Sequence, residues 1–286
     1  MKKTYLIGLL TGALALTACD PAEDDYSNNI SAMTADDITA EITVEQQGGV
    51  NVNKVKVCTH NSLPTQISNG VNTIAGSSGE LILFGTGNNT ITVSCQNPDG
   101  TIISKDYVVN VQEMVYDVDP EYGYFTNLSS KVWTWDDSSG QCWGNAGYLS
   151  GEGSRFVEGN GWWGVPSTDL SSQIENYGYG LDDSGDATMT MTLFGLKLEK
   201  SSGGTGTFSF DMTKKTHTGD DDSPLYAVGQ LTTSGNGVLF PVQINTGVVV
   251  NTFDICYIDE SNLVLSYASD GTGAWGEATI WRFKAK

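Results

Sequence analysis

The chain has 286 residues, with 34 Asp and Glu against 14 Lys and Arg, so its formal charge at pH 7 is -20. So negative a field repels phosphate backbones and anionic lipid heads, which argues against nucleic acid as a partner. The length is sufficient for one or two domains with a substantial core.

Residues 1–18 have the pattern of a secretory signal peptide. Lys2 and Lys3 precede a mostly apolar run over 5–16, which is too short for a permanent membrane helix. The run ends in Leu-Thr-Ala-Cys, with the cysteine at position 19. This pattern resembles the lipobox of bacterial lipoproteins, which implies that Cys19 becomes the mature N-terminus and carries the lipid. An ordinary cleaved signal with an incidental cysteine is the alternative.

Residues 19–37 are predicted to be an acidic tether, because Asp20, Glu23, Asp24 and Asp25 occur there without any Lys or Arg. Clustered acids after the lipid cysteine resemble the surface-export signal of Bacteroidota lipoproteins. Asp20 on its own also resembles the inner-membrane retention signal of enteric bacteria. Because the acids are clustered, we favour a lipid-anchored protein on the surface of the outer membrane. A periplasm-facing lipoprotein is the alternative.

Residues 38–114 are predicted to form a small β-sandwich. Period-two alternation and frequent turn residues indicate strands over 38–44, 50–57, 81–84, 90–95 and 107–111. The segments 53–58 and 87–95 are similar to the PKD/Ig-like modules of secreted bacterial proteins. That resemblance implies an Ig/PKD-like sandwich.

Residues 115–286 are predicted to form a second all-β domain. Clean alternation over 187–193 and 206–211 is typical of antiparallel sheet with one wet face. We find no convincing helical stretch after the signal peptide. We therefore expect either a jelly-roll sandwich or a lipocalin-like barrel. The predicted strands span 131–136, 187–194, 205–212, 227–233, 238–244, 253–258, 263–267 and 274–283.

Four cysteines remain once Cys19 is set aside. An even number outside the cytoplasm permits two disulfides, and the domain boundaries suggest Cys58 with Cys95 and Cys142 with Cys256. Buried free thiols are the alternative for the second pair.

Aromatic residues in Gly-rich segments are the strongest functional signal. All seven tryptophans lie after residue 130, and several fall in the loop-like segments 141–148 and 159–164. Flat rings beside amide and carboxylate groups suit sugars, which present a face of C–H bonds and a rim of hydroxyls. The alternative is that these rings pack inside the protein. The predicted carbohydrate-binding residues are Trp143, Asn145, Tyr148, Asn160, Trp162, Trp163, Trp275 and Glu277.

Enzymatic motifs are sparse. The two histidines, His60 and His217, fall in different predicted domains, which argues against a Ser-His-Asp triad or a His-based zinc site. The acidic run over 182–186 is interpreted as a solvated turn rather than a calcium site, and we expect no metal and no cofactor. If the protein were an enzyme, a glycoside hydrolase using Glu277 with Asp136 or Glu152 would be the expectation.

The tryptophan-bearing segments of the second domain carry a wider resemblance. Segments 131–136, 142–145, 162–163 and 273–283 look like those of lipoproteins encoded beside Bacteroidota polysaccharide-uptake systems. The resemblance implies a surface lipoprotein that captures polysaccharide or oligosaccharide for a SusC/SusD-type importer. The alternatives are a glycoside hydrolase, and a structural or adhesion lipoprotein without a glycan site.

Overall fold

Alternating apolar and polar residues produce β-structure through both predicted domains. The computed structural model describes residues 31–146, 163–217, 225–269 and 278–286. The fold is all-β, as predicted, with two sandwich-like sheets followed by an eight-stranded barrel. Of the two architectures expected for the second domain, the barrel is therefore the one observed.

The first module consists of two antiparallel sheets. One sheet has the order β1-β2-β5 and the other β4-β3-β6-β7. Alternation along the strands buries Val55, Val57, Ile91 and Val93 between them. The strands are β1 (Ala40–Gln47), β2 (Val50–Thr59), β3 (Thr65–Ser68), β4 (Thr73–Ala75), β5 (Ser78–Ile82), β6 (Gly87–Gln96) and β7 (Ile102–Val111).

The second module is an antiparallel barrel with the order β8-β11-β12-β13-β16-β17-β18-β19. It closes because β19 pairs back with β8, with Phe283 opposite Trp135. Strands β9 and β10 extend from β19, and β14 pairs with β15 as a separate ribbon. The strands are β8 (Ser130–Trp135), β9 (Trp143–Asn145), β10 (Gly164–Val165), β11 (Thr188–Thr192), β12 (Lys197–Lys200), β13 (Thr205–Asp211), β14 (Thr216–His217), β15 (Leu225–Ala227), β16 (Gly229–Gly235), β17 (Thr252–Ile258), β18 (Asn262–Tyr267) and β19 (Thr279–Ala285).

Large side chains fill the barrel interior. Trp133, Trp135, Phe253, Trp281 and Phe283 are all buried in one hydrophobic cluster. An eight-stranded barrel is only wide enough for side chains or one small ligand. The described interior is therefore a packed core.

Residues 238–244 belong to that core, but the prediction of a strand there is wrong. Pro241 has no N–H to give to a ladder, which disfavours a central strand. A single β-bridge between Val242 and Val249 and two indole groups satisfy the segment instead: the Trp281 indole N–H donates to the Phe240 carbonyl at 2.9 Å. The Trp143 indole N–H donates to the Val242 carbonyl at 3.0 Å. We call residues 238–244 the plug.

A buried ion pair holds the start of the plug. The Lys200 ammonium lies 2.7 Å from the Asp183 carboxylate, and both side chains are fully buried. The same carboxylate accepts the Phe240 backbone N–H at 2.7 Å and the Ser202 hydroxyl at 2.5 Å. The solvated-turn interpretation of 182–186 is therefore wrong for Asp183, because this carboxylate points inward to the plug and Lys200.

Two short helices correct the expectation of no helix. Helix α1 (Pro120–Thr126) begins at a proline. Helix α2 (Leu170–Tyr177) is followed by Gly178, whose φ of 64° ends the helix. Phe125 of α1 stacks on Phe210 with ring centroids 5.0 Å apart, which closes one end of the barrel. Among the described residues, no helix is both long and apolar enough to cross a membrane.

The two modules pack directly against each other. The Tyr122 ring lies between Phe84 of the sandwich, at 4.9 Å, and Phe210 of the barrel, at 4.8 Å. The Gly195 N–H donates to the Gly70 carbonyl at 2.6 Å. Residues from Ala32 onward accordingly form one compact unit. The predicted boundary between 114 and 115 falls between β7 and α1.

Replacing Lys200 with Ala is expected to lower the free energy of unfolding by about 3–5 kcal/mol, because Asp183 is left as a buried unpaired charge. Urea denaturation followed by tryptophan fluorescence measures the change. Lys197→Ala on the same strand is the control, because Lys197 is exposed. Equal unfolding midpoints for the two variants would contradict a stabilising role for the pair.

Candidate functional site

The exposed end of the aromatic cluster is built on β9 and β10. Pairing of Val165 with Trp143 brings the two strands together, and the Asn145 N–H donates to the Trp163 carbonyl at 2.8 Å. The Trp143 side chain is fully buried, whereas Trp163 keeps 40% of its surface exposed. The two indole rings meet edge to face, with centroids 6.0 Å apart.

Trp143 also anchors a second partly exposed ring. Tyr177, the last residue of α2, contacts Trp143 edge to face with centroids 6.1 Å apart. Its hydroxyl accepts the Asn245 backbone N–H at 2.8 Å. Phe240 of the plug lies 5.0 Å from Trp143 on the core side. Trp143 is thus a fixed base on which Trp163 and Tyr177 are positioned, and we call these two residues the aromatic rim.

Apolar surface continues beside the aromatic rim. Gly247 lies against Tyr177 so closely that an added Cβ would be 3.1 Å from the ring. The next two residues, Val248 and Val249, are exposed. A rigid Trp with a Tyr nearby is the geometry that stacks on the C–H face of a sugar ring, because such rings present area at little cost in side-chain entropy.

The structure corrects two of the predicted carbohydrate-binding residues. Trp143 and Asn145 are buried, and the Trp143 indole N–H is already bonded to the plug, so neither side chain is placed to contact a glycan. Trp163 is exposed as its predicted role requires. Five other predicted residues lie outside the described ranges and remain predictions, as does lipid attachment at Cys19: Tyr148, Asn160, Trp162, Trp275 and Glu277.

Tyr177 is the rim residue that sequence reasoning missed. It lies in the sequence Tyr-Gly-Tyr-Gly over 177–180, where aromatic and glycine residues alternate as they do around Trp162 and Trp163. That composition was an available signal. It was overlooked because no helix was expected to place Tyr177 beside the tryptophan loops.

All four described cysteines are free thiols, which contradicts both predicted disulfides. On β2, Cys58 falls between the inward Val57 and Thr59, so it points away from the core, whereas Cys95 is buried within it. Cys142 and Cys256 belong to two different hydrophobic clusters. In each predicted pair, the two cysteine side chains therefore lie in different parts of the structure. For Cys142 and Cys256, the alternative of buried free thiols holds.

The residues of the glycoside hydrolase alternative are only partly described. Glu277 and Glu152 lie outside the described ranges, so a carboxylate pair remains a prediction. Asp136 is half-buried and accepts the backbone N–H and the hydroxyl of Ser138, each at 3.0 Å. In the part of the chain that the structure covers, no group of three or more His, Cys, Asp or Glu is placed to hold a metal ion.

Comparison with known proteins adds no family to this geometry. No protein-family model matches the chain, and no curated protein matches it. Any statement about function therefore depends on the residues themselves.

Iodoacetamide is expected to label Cys58 in the native protein, and Cys142 and Cys256 only after unfolding. Burial raises the pKa of both buried thiols, which keeps them protonated and unreactive at neutral pH. Peptide mass spectrometry before and after guanidinium treatment measures the labelling. A disulfide-linked pair of peptides in a non-reduced digest would contradict the free-thiol assignment.

Proposed function

We propose that the protein is a cell-surface lipoprotein that binds polysaccharide or oligosaccharide through the aromatic rim of its barrel. The observation that carries this proposal is Trp163, an exposed indole packed edge to face on the buried Trp143. An indole held in this way leaves a flat face exposed, on which a sugar ring can stack.

The filled barrel supports recognition at the surface. Trp135, Trp281 and Phe283 occupy the described interior, where a barrel-type binding protein would hold a small ligand. A polymer needs no such cavity, since it lies along an exposed surface. Tyr177, which also packs on Trp143, and the exposed Val248 and Val249 after Gly247 add apolar surface on which an extended chain can lie.

The sequence supplies the rest of the proposed arrangement. Lipid on Cys19 holds the protein at the outer membrane, and the acidic residues that follow it give a tether to the compact unit, which begins at Ala32. The PKD/Ig-like sandwich then sets a distance between the membrane and the barrel. The resemblance to polysaccharide-utilisation lipoproteins suggests that captured glycan passes to a SusC/SusD-type importer.

Affinity in this arrangement comes from the repeated sugar units of a polymer. One aromatic stacking contact contributes about 1 kcal/mol, which gives weak binding to a single sugar unit. A polymer presents many equivalent units and stays close after one of them dissociates. Tight retention of long chains with weak binding of monosaccharides is therefore the expected behaviour.

Replacing Trp163 with Ala is expected to reduce retardation of the protein in affinity electrophoresis on gels containing neutral polysaccharides. The expected loss of affinity is about five- to tenfold, since roughly 1 kcal/mol of stacking is removed. Phe194→Ala is the matched control, because Phe194 is also an exposed ring but lies beside Gly70 of the sandwich.

Unchanged retardation of the Trp163→Ala variant on every gel that retards the wild type would remove the aromatic rim from the binding site. If the wild type released reducing sugar from the same polysaccharides, the proposed function would change from binding to hydrolysis.

A further inference from the structure

One face of the barrel departs from the acidic character of the chain. The outward residues of three adjacent strands form a row in which Thr134 of β8 lies opposite Lys284 of β19, and Lys284 lies opposite Asn262 of β18. We call this outward face of β8, β19 and β18, with the turns beside it, the outer wall. It is separate from the aromatic rim.

Two open pockets adjoin on the outer wall. The larger has a volume of 880 Å³ and is lined by residues that include Tyr124, Lys131, Ser261 and Lys286. The smaller has a volume of 380 Å³ and is lined by residues that include Asp136, Tyr257, Asn262 and Arg282. Ser261 in the larger lining and Asn262 in the smaller one are consecutive in the chain, so the two pockets lie close together.

Cationic groups gather on this wall. Lys131, Arg282, Lys284 and Lys286 are four of only 14 Lys and Arg residues in the chain. Lys284 and Lys286 are exposed, whereas Arg282 is buried on the floor of the smaller pocket. The four cations stand against three acids here, Asp136, Asp259 and Glu260, so the outer wall repels a negative group less than the chain as a whole does.

The acids on the wall are largely engaged. The Asp259 carboxylate accepts the Tyr257 hydroxyl at 2.7 Å and the backbone N–H groups of Ser261 and Asn262, each at 2.7 Å. Asp136 is bonded to Ser138 and lines the smaller pocket beside Arg282, whose carbonyl accepts the Asp136 backbone N–H at 3.0 Å. Glu260 also lines the larger pocket and is exposed, so the accessible charges are its carboxylate and the ammonium groups of Lys284 and Lys286.

The remaining wall groups suit sugars. Tyr124 and Tyr257 offer rings, while Ser138 and Ser139 offer exposed hydroxyls. A nucleic acid carries a much denser line of charge, which the surrounding acidic surface opposes. A uronic acid chain carries one carboxylate per sugar, which a few separate cations are enough to match.

We propose that the outer wall is a second binding site, specific for carboxylated oligosaccharides. Lys284 and Lys286 contact the carboxylates, and the floor at Arg282, Asp136 and Asn262 meets ring hydroxyls. The choice of ligand class rests on the proposed glycan-binding function, but the site uses none of the rim residues.

Isothermal titration calorimetry with a galacturonic acid trimer, and with the matching neutral galactose trimer, tests the proposal. The wild type is expected to bind the acidic trimer about tenfold more tightly than the neutral one, and less tightly as salt rises from about 50 to about 200 mM. The double variant Lys284→Glu, Lys286→Glu is expected to lose that acidic preference. Its matched control is Lys214→Glu, Lys215→Glu, which makes the same change of charge at two exposed lysines of the turn before β14.

Equal losses in the two double variants would overturn the proposal, because net charge and not the outer wall would then explain the binding. Absence of acidic preference in the wild type would also overturn it. If that absence accompanies Trp163-dependent retardation on neutral gels, the proposed function stands and only the outer wall site falls. Loss of acidic binding in Trp163→Ala with full binding in the wall variant would move the acidic site to the aromatic rim.

Discussion

The barrel depends on one buried ion pair. Asp183 and Lys200 lie 2.7 Å apart without solvent exposure, and burial lowers the pKa of Lys200 while Asp183 opposes that effect. Two charges are taken out of water here, so every remaining polar atom around them must be satisfied. The Phe240 N–H and the Ser202 hydroxyl complete the carboxylate shell. The same contacts hold the start of the plug inside the barrel, where the aromatic core fills the remaining space.

A solid interior confines the proposed recognition of glycans to the outside of the barrel. The buried Trp143 connects the plug with an exposed ring, since its indole N–H is bonded to Val242 and its ring packs edge to face with Trp163. The stiffness of the core is thereby transmitted to an exposed ring. Such a ring loses little freedom when a sugar stacks on it, which is how pre-organisation improves affinity. The packing that excludes a ligand from inside the barrel therefore prepares a surface outside it.

Period-two alternation predicted most of the barrel, because segments such as β11 and β13 place one face inside and the other in water. Alternation failed over 238–244, where an apolar run around Pro241 is buried without a ladder. Alternation also gave no information on Asp183, because in the sequence of an acidic chain a buried carboxylate cannot be distinguished from the solvated carboxylates beside it. Composition was enough to single out Trp163. It could not show that Trp143 is buried and Trp163 exposed, because that depends on the pairing of β9 with β10, which one sequence does not specify.

Closure of the barrel has a consequence for how the chain acquires its structure. Strands β8 and β19 are far apart in sequence, yet Trp135 and Phe283 must meet before the interior is covered. Loop-closure entropy opposes that meeting, and contacts of this kind slow folding. The plug adds to the delay, since Trp281 must arrive on β19 before the Phe240 carbonyl has its donor. The slowest step of folding is therefore expected to be the joining of the first and last barrel strands around an already collapsed aromatic core.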